Sequence, residues 1–89
     1  MAAGADPLRV FLAEHYLAAV DEERVAELGL RLEAACGDGV RLLGCAGLPG
    51  DDCVLSILTA PSAEAVAETF ATADVAVDRV APALWRPAT

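Results

Sequence analysis

Two eight-residue runs, Arg9–Tyr16 and Cys53–Ala60, carry apolar side chains at successive positions. In the first run Val10, Phe11 and Leu12 follow one another directly. Successive side chains of a strand point to opposite faces, so each run would present apolar groups to both sides of a sheet. Both faces of such a sheet must be covered, and this requirement restricts the folds available to so short a chain.

Helical periodicity marks the segments that follow these two runs. Asp21 can cap a helix whose apolar positions recur every three or four residues and which ends at Gly37–Gly39. Ser62 can cap a second helix that ends near Ala73. The sequence therefore predicts one helix after each of the two apolar strands.

Two further strands complete the predicted pattern. Val40–Ala46 precedes the turn-rich connector Gly47–Asp52, which fits a hairpin, and Val75–Ala81 is a last strand stopped by Pro82. The resulting order, βαββαβ, predicts an α+β ferredoxin-like fold with a four-stranded antiparallel sheet and two helices on one face. The two apolar runs are expected to be the central strands. We expect a single domain, with a core of about residues 9–84 and short flexible tails.

The predicted helices cover only one sheet face, although both faces are apolar. An uncovered face of this size would cost several kcal/mol at about 25 cal/mol per Å². The chain has 89 residues, of which 56% are hydrophobic, so it has apolar surface in excess of what one small domain buries. We therefore predict a homodimer through the open sheet face, in a dimeric α/β-barrel assembly.

The charge and cysteine content exclude several classes of function. A net charge of −8, with arginine as the only strong base, argues against nucleic acid and against anionic membrane surfaces. Three cysteines without CxxC spacing suggest neither a secreted disulfide framework nor a zinc knuckle. No signal peptide or membrane span is apparent, and the predicted location is cytoplasmic.

The cysteines nevertheless leave two interpretations open. Cys45 and Cys53 flank the predicted hairpin at similar distances and would lie opposite one another as a disulfide or a thiolate pair. Alternatively, both are small buried hydrophobic residues. Cys36 falls on the apolar stripe of the first helix and is expected in the core.

Titratable groups concentrate at the end of the first strand, at Glu14, His15 and Tyr16. Strand alternation puts Glu14 and Tyr16 on one face and His15 on the other, with Phe11 and Ala13. A site shared by Glu14 and His15 would therefore require a twist at the strand end or ligands from different protomers.

Several segments together resemble one protein family, a small actinobacteria-rich group of ferredoxin-like domains of unknown function that includes nickel-binding proteins. The segments that carry the resemblance are Leu12–Leu17, Leu48–Asp52, Ala60–Val66 and Val77–Val80. Glu14 stands where the family usually has a glutamate, and His15 occupies the basic position that follows. The positions of Ser56 and Phe70 often hold cysteine and histidine in that family.

The resemblance implies a metal site at Glu14 and His15 for nickel(II) or another divalent transition metal, completed by a second protomer. The alternatives are a cofactor-independent isomerase, cyclase or monooxygenase that uses His15, Glu14 or Tyr16 as its base, or a non-catalytic interaction module. A small-molecule ligand is compatible with a metal-binding function and with an enzymatic one.

Overall fold

A computed structural model describes residues 9–86 and residue 88. The elements in chain order are β1 (Arg9–Tyr16), α1 (Glu22–Ala35), β2 (Arg41–Leu48), β3 (Cys53–Ala60), α2 (Ala63–Thr72) and β4 (Arg79–Ala83). A short 3₁₀ turn, Pro49–Asp51, connects β2 to β3. This order confirms the predicted βαββαβ arrangement. The predicted N-terminal tail lies outside the described residues, as do Pro87 and Thr89 of the C-terminal tail.

The four strands form one antiparallel sheet in the order β2-β3-β1-β4. The fold is therefore ferredoxin-like, and the two apolar runs are its central strands, as predicted. The β1–β3 ladder is regular from Arg9 opposite Ala60 to Tyr16 opposite Cys53. The β2–β3 ladder contains an irregularity between Leu42 and Gly44, which shifts the pairing register by one residue.

Both helices begin at the predicted capping residues. The Asp21 carboxylate accepts a hydrogen bond from the Arg24 backbone N–H at 2.8 Å, and the Ser62 hydroxyl accepts one from the Ala65 N–H at 3.1 Å. These bonds satisfy amide groups that have no partner within the first helical turn. Within the described ranges, neither helix is long and apolar enough to cross a membrane.

The last strand begins later than predicted, since β4 starts at Arg79 instead of Val75. Asp74 adopts a left-handed φ of 59°, and the Val75 N–H donates to the Phe70 carbonyl at 2.9 Å. Val75, which the sequence assigned to a strand, therefore still belongs to the C-terminal cap of α2. Pro82 lies inside β4 because this strand is at the sheet edge, where a residue without an N–H is tolerated.

The hydrophobic core lies between the helices and one face of the sheet. Its buried apolar residues come from both helices, from β1 and β3, and from the loop before α1: Phe11, Ala13, Val20, Leu28, Leu32, Val54, Leu58, Ala60, Val66 and Phe70. The opposite face, called the open face below, carries Leu12, Leu55 and Ile57 on the central strands, and no element of the described chain covers it.

Candidate functional site

The three titratable residues at the end of β1 are divided between the two faces of the sheet, as predicted. His15 is only 1% exposed and shares the helix-covered face with Phe11 and Ala13. Glu14 is half-buried on the open face, and Tyr16 on the same face is 66% exposed. Within one chain, Glu14 and His15 therefore do not point into a common site.

His15 lies in a largely apolar environment with one polar contact. Its Nε2 is 3.1 Å from Ser56 Oγ, and its ring packs edge-to-face on Phe70 with centroids 5.2 Å apart. Among the described residues, its Nδ1 has no hydrogen-bond partner. A buried polar atom without a partner costs about 1–3 kcal/mol, so this environment is not optimised for stability alone.

Burial lowers the pKa of His15 below its ordinary value, and the negative charge of Asp78 opposes that shift. The imidazole is therefore neutral at pH 7. A neutral imidazole can serve as a base or a metal ligand, but this ring is sealed from solvent on the helix side of the sheet.

Ser56 connects His15 to a thiol. Cys45 lies opposite Ser56 in the β2–β3 ladder, and Cys45 Sγ is 3.3 Å from Ser56 Oγ. The three side chains form a hydrogen-bonded row in the order Cys45, Ser56 and His15. The sequence analysis did not identify this row, although Ser56 is a polar residue between Val54 and Leu58 on the core face of a central strand.

Of the two interpretations of Cys45 and Cys53, the strand register does not support the facing pair. Cys53 lies opposite Leu48 and points to the open face, whereas Cys45 lies opposite the buried Ser56, and both thiols are free. Cys36, expected in the core, is a half-buried residue at the end of α1. Burial raises the pKa of the Cys36 thiol.

Acidic groups gather at the end of the open face where β1 finishes. The Asp78 N–H donates to the Glu14 carbonyl at 2.9 Å, and the Asp78 carboxylate accepts from the Tyr16 N–H at 3.1 Å. The pKa of Cys53 is raised by partial burial and then by the nearby charges of Glu14, Asp51 and Asp78.

These groups do not form a complete metal site in one chain. Among residues 9–86 and 88, no three His, Cys, Asp or Glu side chains are grouped so as to hold a metal ion. Glu14 and Cys53 are diagonal neighbours on the open face, which provides one carboxylate and one thiol. A transition metal bound there would need further ligands from a second copy.

Comparison of the sequence with protein-family models and with curated proteins gives no match. Among solved structures, the chain is similar to the crystal structure of SCO4226 from Streptomyces coelicolor A3(2). The TM-score is 0.79 at 16% sequence identity, over 88% of this chain and 99% of that chain. At this identity the similarity supports the fold alone, and it agrees with the strand order found here: the chain has the ferredoxin-like fold.

Proposed function

We propose that this protein is a homodimer assembled through its open sheet faces, and that it binds a divalent transition metal with ligands from both copies. The observation that carries the proposal is the open face itself. Leu12, Leu55 and Ile57 lie at its centre, and the half-buried Glu14 lies at its end. Apolar side chains on a central strand favour burial against a partner.

The size of the open face supports a sheet-to-sheet dimer. Three strands of eight residues and β4 of five, spaced about 4.8 Å apart with about 3.3 Å per residue, cover about 460 Å² in projection. The accessible surface of a face with protruding side chains exceeds its projection. The available area therefore approaches the ~800 Å² per partner of a standard stable interface.

The proposed metal site requires one orientation of the two copies, because its donors lie toward one end of the sheet. Arg41 lies opposite Thr59, at the end of the sheet where β1 begins, whereas Glu14 lies near the other end. Arg79 is the register partner of Glu14 on the neighbouring edge strand. If the β1 strands of the two copies run in the same direction, the two acidic ends meet, and Glu14 and Cys53 of both copies come together around one ion.

The same interface would withdraw the Glu14 carboxylates from water. A buried carboxylate needs a compensating cation, which is Arg79 within the chain or a metal ion between chains. Two copies together contribute two carboxylates from Glu14 and two thiols from Cys53, donors that suit nickel(II) or zinc(II). A bound metal would connect the two sheets, and the chain's own residues would orient it.

The dimer is tested by sedimentation or light scattering at low micromolar concentration. Leu12→Glu places a charge at the centre of the open face, and Leu30→Glu makes the same change on the exposed surface of α1. We expect dimers for the wild type and for Leu30→Glu, and monomers for a folded Leu12→Glu. A monomeric wild type would refute the dimer.

The metal site is tested by calorimetric titration with nickel, copper and zinc. Glu14→Gln should weaken binding about tenfold or more, whereas the matched change Glu64→Gln on α2 should have no effect. Leu12→Glu should also abolish binding, because one chain lacks the ligands. The metal site is rejected if the wild-type dimer binds none of these ions more tightly than ~100 µM.

The catalytic alternative receives less support. A general base must come within hydrogen-bond reach of its substrate, whereas His15 is 1% exposed. Glu14 and Tyr16 lie on the face that the proposed dimer covers.

A further inference from the structure

Residues 84–86, called the C-terminal segment below, follow β4 and carry two large apolar side chains that are open to solvent. Leu84 is fully exposed, and Trp85 is 55% exposed. A tryptophan buries about 150–250 Å² when another surface covers it, which makes it one of the most effective side chains in an interface. Exposed apolar groups of this size beside an apolar sheet face indicate an interaction surface.

The register of the sheet shows where the C-terminal segment leaves it. Ala83, the last residue of β4, pairs with Val10 of β1. Val10 in turn pairs with Thr59, and Thr59 pairs with Arg41, the first residue of β2. The segment therefore leaves the sheet at the end where Arg41 lies. Trp85 is two residues beyond Ala83, so an extended continuation of β4 places it on the open side of the sheet.

The dimer proposed above brings a second copy over this position. Two sheets that stack face to face with their β1 strands in the same direction are related by a twofold axis parallel to the strands. When the sheets overlap fully, rotation about this axis reverses the order β2-β3-β1-β4, so that β4 faces the partner's β2. Aligned packing keeps the strands within about 30° of each other, which preserves this correspondence. Ala83 then lies across from the partner's Arg41, and Trp85 lies beside it.

Small side chains on the two facing strands leave room for a large one. The open face of β4 carries Ala81 and Ala83, and that of β2 carries Gly44 and Ala46. Packed sheets lie about 10 Å apart, and glycine and alanine fill little of that distance. A large side chain is therefore needed to exclude water from this side of the interface, and Trp85 is next to it.

We propose that Trp85 of each copy packs on the partner's Arg41, and that this contact closes the interface between β4 and the partner's β2. The inference rests on the dimer of the proposed function, to which it adds a segment outside the sheet. Arg41 is exposed in the single chain, and the two long side chains together can span the distance between the sheets. The face of an indole attracts a guanidinium, and both residue types are enriched among those that dominate binding energies.

A symmetric dimer contains this contact twice. A substitution of Trp85 removes both contacts, so even a modest contact has a measurable effect on association. We expect Trp85→Ala to raise the dissociation constant of the dimer about tenfold or more. The variant should fold as the wild type does, because Trp85 lies outside the sheet and is exposed in the single chain.

The first test uses the fluorescence of Trp85, which is the only tryptophan of the chain. The emission of the wild type is recorded during dilution through the dimer–monomer transition, which sedimentation equilibrium locates. On dissociation we expect the emission to shift to longer wavelength and its quenching by acrylamide to increase. Leu12→Glu should show the monomer's emission at every concentration, whereas Leu30→Glu should behave as the wild type.

The second test is a double-mutant cycle on the dissociation constant, with Trp85→Ala and Arg41→Gln as the single variants. Either change removes the same contact, so the double variant should dissociate about as readily as Trp85→Ala alone. Arg24→Gln removes an exposed arginine from α1 and controls for the loss of one positive charge. This control should leave the dissociation constant unchanged.

The dimer and the Trp85 contact fail in distinguishable ways. A monomeric wild type would overturn both of them. A dimer whose tryptophan emission stays the same on dissociation, or whose dissociation constant is unaffected by Trp85→Ala, would overturn the contact and leave the dimer standing. Additive effects of Trp85→Ala and Arg41→Gln would overturn the assignment of Arg41 as the residue that Trp85 contacts.

Discussion

At the scale of single residues, the unusual feature is a buried histidine with only one of its two nitrogens bonded. Nε2 contacts Ser56, Phe70 packs on the ring, and Nδ1 has no partner in the part of the chain that the structure describes. The ring contributes packing in its neutral form, and protonation would place a charge among apolar neighbours, which the negative charge of Asp78 offsets only in part. Stability should therefore depend on the charge of this one side chain.

The pH dependence follows from the lowered pKa of His15. Between the unfolded value near 6.5 and the lower folded value, the unfolded chain binds more protons, so acid favours unfolding. His15 should not affect stability above pH ~7, and its presence should destabilise the fold increasingly as pH falls below ~6.5.

The measurement is chemical unfolding of metal-free protein between pH 7.5 and 5, compared with His15→Gln. The other titratable groups make the free energy of unfolding depend on pH in the wild type and in His15→Gln alike. The difference between the two proteins therefore reports on His15. The wild type should lose more free energy of unfolding on acidification than the variant. Parallel curves for the two proteins would contradict a lowered pKa.

The sequence predicted the face on which His15 lies but not its neighbours. Strand alternation is a local property, and it separated His15 from Glu14 correctly. The contacts with Ser56 and Phe70 join residues far apart in the chain, and they depend on the β1–β3 register and on the position of α2. Neither quantity can be read from residue spacing within one strand.

At the scale of elements, α1 approaches β2 closely through small residues. A Cβ on Gly47 would lie 2.7 Å from Cγ atoms of both Val20 and Val25, whose branched side chains have little rotational freedom. A Cβ on Gly29 would lie 4.0 Å from Cys45 Sγ, which is an ordinary van der Waals distance. The position of α1 over β2 therefore depends on the absence of a side chain at Gly47.

Gly47→Ala should destabilise the protein by about 1–3 kcal/mol, the range observed for overpacking. Gly50→Ala nearby adds the same methyl group where nothing lies within 4 Å. Urea unfolding of the two variants measures the difference. If Gly47→Ala were as stable as Gly50→Ala, the close contact of α1 with β2 would be disproved.

Element boundaries were predictable where a local signal fixes them. The caps at Asp21 and Ser62 and both central strands agree with the sequence prediction. The start of β4 was not predictable, because a left-handed Asp74 and a bond from Val75 to Phe70 extend the cap of α2. Left-handed conformation at an aspartate has only a weak sequence signal.

At the scale of the whole molecule, the proposed dimer has a thermodynamic consequence. If folding and association are coupled through the open face, the melting temperature should rise with protein concentration. Leu12→Glu should remove that dependence and Leu30→Glu should keep it. Scanning calorimetry over a hundredfold concentration range tests this, and a constant wild-type melting temperature would argue against a coupled dimer.

The two edge strands of the sheet, β2 and β4, limit how such an apolar molecule can associate. β2 is broken by the irregularity between Leu42 and Gly44, and β4 has only five residues with Pro82 among them. Neither edge strand presents a long regular row of free N–H and C=O groups, and aggregation by edge-to-edge strand pairing requires such a row. Association is thus disfavoured along the edges, where it would continue without limit, whereas the proposed pairing across the open faces would close at two copies.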